Sequence, residues 1–161
     1  MNINMIVPME VGIPVRDVVR TRQFYEEVLG FGLINEVKLP AELAQLATMN
    51  ASGYTLVRLQ TPQGERIKLL APFNPPPAEA ATDYILDKAN PTYLTFIADD
   101  IEMVINQLNG LGVIFLTGPS RIEVRPGTYL AFFHDPEGNV IEIVQYSDFK
   151  AYRPDFHKRT L

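Results

Sequence analysis

Cysteine and tryptophan are absent, and histidine occurs only twice, as His134 and His157. Without cysteine there is no disulfide, no thiolate-ligated zinc, no iron–sulfur cluster and no thiol nucleophile. Chemistry is left to oxygen, nitrogen and at most two imidazoles. Basic residues are in the minority, 14 Lys plus Arg against 19 Asp plus Glu for a formal net charge of −5, and no run of three or more consecutive Lys or Arg occurs. The positive footprint that phosphate backbones require is missing, so no nucleic-acid partner is expected. Long apolar runs are missing as well: nothing approaches the roughly 20 residues that cross a bilayer. The first nine residues have no cationic start and are broken by Asn2, Asn4 and Pro8, unlike a signal peptide. A soluble, cytoplasmic protein without a membrane partner is expected.

What is present is an ordinary globular composition, 47% hydrophobic over 161 residues, a length that suits a single domain over 1–161. A chain of this mass buries about 70% of its unfolded surface, so its core needs no staple. A strand-like segment, Met9–Val15, is followed by Asp17 and a helical segment that ends at Gly30; a second, Thr92–Ala98, is followed by Asp100 and a helical stripe of Ile101, Val104, Ile105, Leu108 and Leu111. The two aspartates lie 83 residues apart. Further strand candidates follow each helix: Phe31–Val37, Tyr54–Leu59 and Arg66–Ala71, then Val113–Leu116, Tyr129–His134 and Val140–Tyr146. The chain therefore reads as βαβββ twice, in modules 8–71 and 91–146. Residues 72–90, rich in Pro and Ala, read as a semi-rigid linker, residues 39–50 as a helix inserted in the first module only, and residues 147–161 as an aromatic, basic tail.

Alternation along a strand separates its two faces. Met9, Val11, Ile13 and Val15 form an apolar list opposite Glu10, Gly12 and Pro14; Ile67, Leu69 and Ala71 oppose Arg66, Lys68 and Leu70; Leu94, Phe96 and Ala98 oppose Tyr93, Thr95 and Ile97. In the last strand Glu142 lies between Val140 and Val144, where an unpaired carboxylate would cost several kcal/mol if buried, so it needs a partner. The preceding Asp135-Pro136-Glu137-Gly138-Asn139 is a turn by its residue types.

The run Phe133-His134-Asp135-Pro136-Glu137-Gly138-Asn139-Val140-Ile141-Glu142-Ile143 resembles the terminal hairpin of the vicinal oxygen chelate superfamily. Val11-Gly12-Ile13-Pro14-Val15-Arg16-Asp17, Phe24-Tyr25 and Val28-Leu29-Gly30-Phe31 resemble its opening. That superfamily includes glyoxalase I, methylmalonyl-CoA epimerase, fosfomycin-resistance transferases, extradiol dioxygenases and bleomycin-sequestering proteins. The resemblance covers residues 8–147 and implies an α+β fold: two tandem βαβββ modules forming a cupped, mixed-sheet, glyoxalase-like pseudo-barrel. A shared fold does not fix the reaction.

By that resemblance, metal-dependent members point four ligands into the cup, commonly His or Gln, Glu, His and Glu. The corresponding positions here are Glu10, Lys68, Tyr93 and Glu142, with Glu10 and Tyr93 each seven residues before a helix-opening Asp. A protonated ammonium and a protonated phenol are poor donors to a divalent cation. A metal-free site is therefore expected, with no cofactor and with Lys68 bridging Glu10 and Glu142; the bland alternative is an inert ion pair filling a vestigial cup. In a lyase, isomerase or epimerase acting beside a carbonyl, Glu142 would be the base, Lys68 the oxyanion stabiliser, Tyr93 a hydrogen-bond donor and Glu10 the group orienting Lys68. A second reading is a bleomycin-resistance-type protein that sequesters an aromatic or antibiotic-like ligand. For substrate contacts the candidates are Arg58 as an anion anchor and Tyr54, Tyr129 and Phe133 as aromatic walls. A third reading keeps a divalent metal on shifted ligands, Glu10, Glu142 and His134. A small-molecule partner and a homodimer are expected, the dimer because modules of this superfamily commonly pair between chains.

Overall fold

In a computed structural model the protein is described over residues 8–80, 82–87 and 92–154. The chain divides into two compact units, Met1–Ala80 and Ala81–Leu161, and the division falls inside the Pro/Ala-rich linker. The first unit runs β1 (Glu10–Pro14), α1 (Val18–Gln23), β2 (Gly32–Leu39), α2 (Ala41–Leu46), β3 (Tyr54–Gln60) and β4 (Arg66–Pro72). The second runs β5 (Tyr93–Ile97), α3 (Ile101–Gly110), β6 (Ile122–Arg125), β7 (Thr128–His134), β8 (Val140–Tyr146) and a last turn, α4 (Phe149–Tyr152). The sheet orders are β1-β4-β3-β2 and β5-β8-β7-β6. In each, the strand before the helix pairs in parallel with the last strand and the other pairs are antiparallel. The duplication expected from spacing is thus a duplication of topology.

The same local signals build both halves. Asp17 and Asp100 leave their strands in extended conformation and accept from Arg20 N and Met103 N, each at 3.0 Å, satisfying a donor that the first helical turn leaves over. The α1 segment widens after Gln23 into a π-helical turn, Phe24–Val28, and places Tyr25 in the core, fully buried and edge-on to Phe31. On the helix-facing side of the first sheet Ile13, Val57, Leu59, Ile67 and Leu69 are buried; on that of the second, Ala131, Phe133, Ile141 and Ile143 pack with Ile101, Ile105 and Leu108 of α3. Met9, grouped with the apolar face of β1, precedes the strand and is exposed.

Two elements differ from expectation. Val113–Leu116 is not a strand: Phe115 makes one isolated bridge to Phe133 and is buried, while Ile114 is exposed. The edge strand is Ile122–Arg125, which alternates apolar and charged residues and turns into β7 through Gly127 at φ +74°. The inserted helix is confined to Ala41–Leu46 and buries Ala44, whereas Leu43 and Leu46 face outward. Gly53 closes that insertion at φ +87°; a Cβ there would lie 2.5 Å from Leu39 O and 2.8 Å from the Phe73 ring, so no side chain fits. The turn between β7 and β8 is held by buried Asp135, whose Oδ1 accepts from Glu137 N and Asn139 N at 2.9 Å and whose Oδ2 accepts from Asn139 Nδ2.

The tail turns back on its own unit at Tyr152, which stacks on Tyr146 with ring centroids 3.6 Å apart. Phe156, His157, Lys158 and Arg159 lie outside the described residues. Burial, then the Tyr152 hydroxyl and the Glu142 charge, push the Tyr146 phenol up to about 12. Because folding favours the protonated phenol, this contribution to stability is complete below 10.0 and is lost as pH rises through about 12. Absorbance titration should show a phenol ionising near 12, and Tyr152→Ala should lower it. A wild-type curve without a late phenol would contradict the stacking.

Candidate functional site

The face of the first sheet opposite its core carries a charged group. Parallel register sets Glu10 beside Arg66 and Gly12 beside Lys68, and antiparallel register sets Arg58 beside Lys68 and Asn35 beside Arg58. Glu10 is thereby ringed by three cations: Arg58 Nε at 3.2 Å, Arg66 Nη1 at 3.5 Å and Lys68 Nζ at 3.8 Å. Desolvation alone would raise the Glu10 carboxyl, but the neighbouring Arg58, with Arg66 and Lys68, holds it below the usual carboxylate range. Arg58 also donates from Nη1 to Asn35 Oδ1 at 2.8 Å, and Arg66 from Nε to Gln60 Oε1 at 2.5 Å. Tyr54 shares this strand face two steps from Arg58 but is buried.

On the second sheet the face opposite the core carries Tyr93, Thr95, Phe132, His134 and Glu142, in register Tyr93–Val140, Thr95–Glu142 and Phe132–Glu142. The partner that Glu142 required is Thr95, whose hydroxyl donates to Oε2 at 2.6 Å. The Tyr93 ring stands edge-on to Phe132 with centroids 5.6 Å apart, and 48% of Tyr93 is exposed. His134 is exposed at the end of β7.

The structure thus joins Glu10, Lys68 and Arg58 in one cluster and sets Tyr93 and Glu142 on one face of the other sheet. Two expected aromatic walls fall elsewhere. Phe133 is fully buried on the opposite face of β7, edge-on to Phe115, and is a core residue. Tyr129 also lies on that opposite face, under the Arg121 guanidinium 3.9 Å above its ring, and Arg121 is tied to Glu102 of α3 at 2.9 Å. Arg66, Thr95, Phe132 and Asn35 were not among the expected site residues. Arg66 and Thr95 already stood on the strand faces carrying Lys68 and Tyr93; only the register joins them to Glu10 and Glu142.

A divalent cation does not suit this donor set. Glu10 spends its oxygens on three cations, Lys68 has no lone pair while protonated, and Tyr93 is a phenol. The fallback set of Glu10, Glu142 and His134 is no better supported: among the described residues no three His, Cys, Asp or Glu side chains are grouped to hold a metal.

No protein of curated function matches the chain in sequence. Among solved structures, a glyoxalase family protein from Bacillus cereus is similar at 17% identity and TM-score 0.72, over 89% of this chain and 95% of that one. The trypanothione-dependent glyoxalase I of Leishmania major is similar at 18% identity and TM-score 0.61, over 93% of each chain. An antibiotic-binding protein from Streptomyces sp. CB03234 is similar at 20% identity and TM-score 0.59, over 91% of this chain and 100% of that one. These likenesses establish the glyoxalase-like α+β fold of two modules. The model of the Glyoxalase/Bleomycin resistance protein/Dioxygenase superfamily matches residues 3–143, nearly the whole chain, and to that superfamily this protein belongs.

Proposed function

We propose that this chain is a cytoplasmic lyase or isomerase that removes a proton beside a carbonyl group of a small molecule without a divalent metal. The observation that carries the reading is the ring of three cations on Glu10, at the position of a metal ligand in the superfamily. Fixed ammonium and guanidinium groups supply positive charge where metal-dependent relatives use an ion. The Glu142 carboxylate takes the proton from carbon, the C–H electron pair forms the enolate double bond, and the carbonyl π pair moves onto oxygen. Lys68 stabilises that oxyanion and Tyr93 donates to it. Delivery of that proton by Glu142 to the neighbouring carbon of the enediolate, on the face from which it was taken and with the hydroxyl proton passing to the former carbonyl oxygen, completes isomerisation of a hydroxycarbonyl; loss of a β leaving group with its bonding pair completes elimination. Glu10, kept ionised by its neighbours, orients Lys68 and is not the base.

The test is hydrogen–deuterium exchange at the α-carbon of a panel of hydroxyaldehydes and 2-oxo acids, followed by NMR in the presence of EDTA. Exchange by the wild type and its loss in Lys68→Met with the fold intact is expected; exchange retained in Lys68→Met overturns the role of Lys68. A second reading is ligand sequestration, favoured by the exposed Tyr93 ring against Phe132, a surface on which an aromatic ligand could stack. A ligand bound tightly and returned unchanged selects this reading.

Assembly as a homodimer belongs to the same proposal. Light scattering at micromolar concentration should give twice the chain mass of 18.1 kDa. A single-chain mass would contradict it.

A further inference from the structure

The cluster on the first sheet is unbalanced in a way that points to the chemistry of its ligand. Three cations face one carboxylate, an excess of two positive charges in a chain whose formal net charge is −5. Elsewhere on the same unit Arg22 meets two carboxylates, Glu26 and Glu36, and on the second unit Arg121 meets Glu102. Among the described residues the remaining contacts of the guanidiniums around Glu10 are neutral: Asn35 holds Arg58 and Gln60 holds Arg66, fixing their direction without cancelling their charge. Arg58 hydrogen-bonds Glu10 from Nε, while Nη1 of Arg66 stands 3.5 Å from it. Donors suited to paired oxygens are therefore already aimed and only partly used. Lys68 contributes one contact from three hydrogens. Its β1 neighbour is Gly12, exposed and without a side chain, and a Cβ there would meet Leu70 Cδ1 at 3.2 Å, so Leu70 lines the strip beside the ammonium. The three cations keep roughly a quarter to two-fifths of their side-chain surface accessible, enough for a ligand to reach them.

We infer that this face binds a small molecule through two negative charges on oxygen, a phosphate group or a compact dicarboxylate, held by Arg58, Arg66 and Lys68. The inference deepens the proposed function by naming its substrate class, and it rests on that reading for the reaction but not for the binding. Glu10 then acts as a built-in competitor: it keeps the cations collected when no ligand is present and shares them when one arrives. A merely structural ion-pair cluster would lose order when Glu10 is neutralised; an anion site gains affinity.

The full chain should be titrated with inorganic phosphate, malonate and acetate at ionic strength held constant with sodium chloride, reading amide shifts by NMR. Saturable shifts confined to β1, β3 and β4 are expected with phosphate or malonate, and binding of acetate weaker by about tenfold, as for loss of one charge-assisted hydrogen bond. Preference for phosphate identifies a phosphate ester or phosphonate, and preference for malonate a dicarboxylate. Arg66→Gln and Lys68→Met should each weaken binding about tenfold and Glu10→Gln should tighten it about tenfold. Arg121→Gln, the same charge change on the second unit, should leave it unaltered. Arg66→Lys, which keeps the charge, provides a folded comparison if Arg66→Gln is unstable. No saturable shift, equal weakening by Arg121→Gln, or no gain from Glu10→Gln overturns the anion site. Phosphate or malonate binding without α-proton exchange overturns the catalytic reading and leaves the anion site standing.

Discussion

Glu142→Gln should reduce α-proton exchange by about 10²–10⁴-fold, the range that a positioned general base supplies. The amide keeps the shape of the carboxylate and an oxygen to accept from Thr95, which donates at 2.6 Å in the native protein, so the fold is retained. What is lost is the capacity to take a proton. Glu142→Asp separates the chemistry from the geometry: it keeps the base but withdraws it by one methylene, and exchange should fall to an intermediate rate with a similar pH profile. A Glu142→Gln protein that exchanges at the native rate places the base elsewhere. Thr95→Val then becomes informative, because it removes the hydroxyl that fixes the carboxylate while leaving a side chain of the same shape. Its expected signature is a lower exchange rate with exchange still present.

Phe133→Ala should destabilise the protein by about 3–5 kcal/mol, the usual cost of deleting a buried aromatic ring. The side chain is fully buried and packs edge-on to Phe115, whose segment bridges β7 in the antiparallel sense. Chemical denaturation should register the loss as a lower midpoint. A ligand wall would behave in the opposite way, with stability near native and affinity reduced. Phe132→Ala is the companion: on the other face of β7, beside Tyr93 and Glu142, it should cost less stability and more binding.

These two neighbours show how far the sequence could be read. Alternation assigns residues to faces, and it separates Glu10, Lys68 and Tyr93 from the apolar lists, whereas Glu142 shares its face with Val140 and Val144. Phe133 shares a face with Ile141 rather than with Glu142, which follows from the register of β7 on β8 and not from either strand alone. Arg66 had the same history: it stood on the Lys68 face from the start, yet only the parallel register of β1 on β4 sets it against Glu10. Pairing between distant segments is a property of the folded sheet and leaves no mark within a single strand. The helix starts were legible because an Asp cap is a local device, satisfied within three residues. The β6 edge strand was not, because the apolar run Val113–Leu116 is the stronger β signal by composition, yet it supplies only a buried Phe115 plug before the chain turns at Gly118 with φ +86°. The π-helical turn at Phe24–Val28 likewise depends on seating Tyr25 against Phe31, a contact that periodicity does not contain.

Membership of the superfamily narrows the chemistry without choosing it, and the choice turns on the residues standing at the metal-ligand positions. A carboxylate whose oxygens are shared among Arg58, Arg66 and Lys68 suits a site in which fixed cations do the electrostatic work. The most direct measurement is α-proton exchange by one preparation of the protein, assayed first after exhaustive chelation and then with zinc, nickel, iron or manganese added back, with elemental analysis of each sample. The account predicts an unchanged rate in every sample and no stoichiometric metal after purification. Exchange that disappears on chelation and returns with one equivalent of a divalent metal would contradict it.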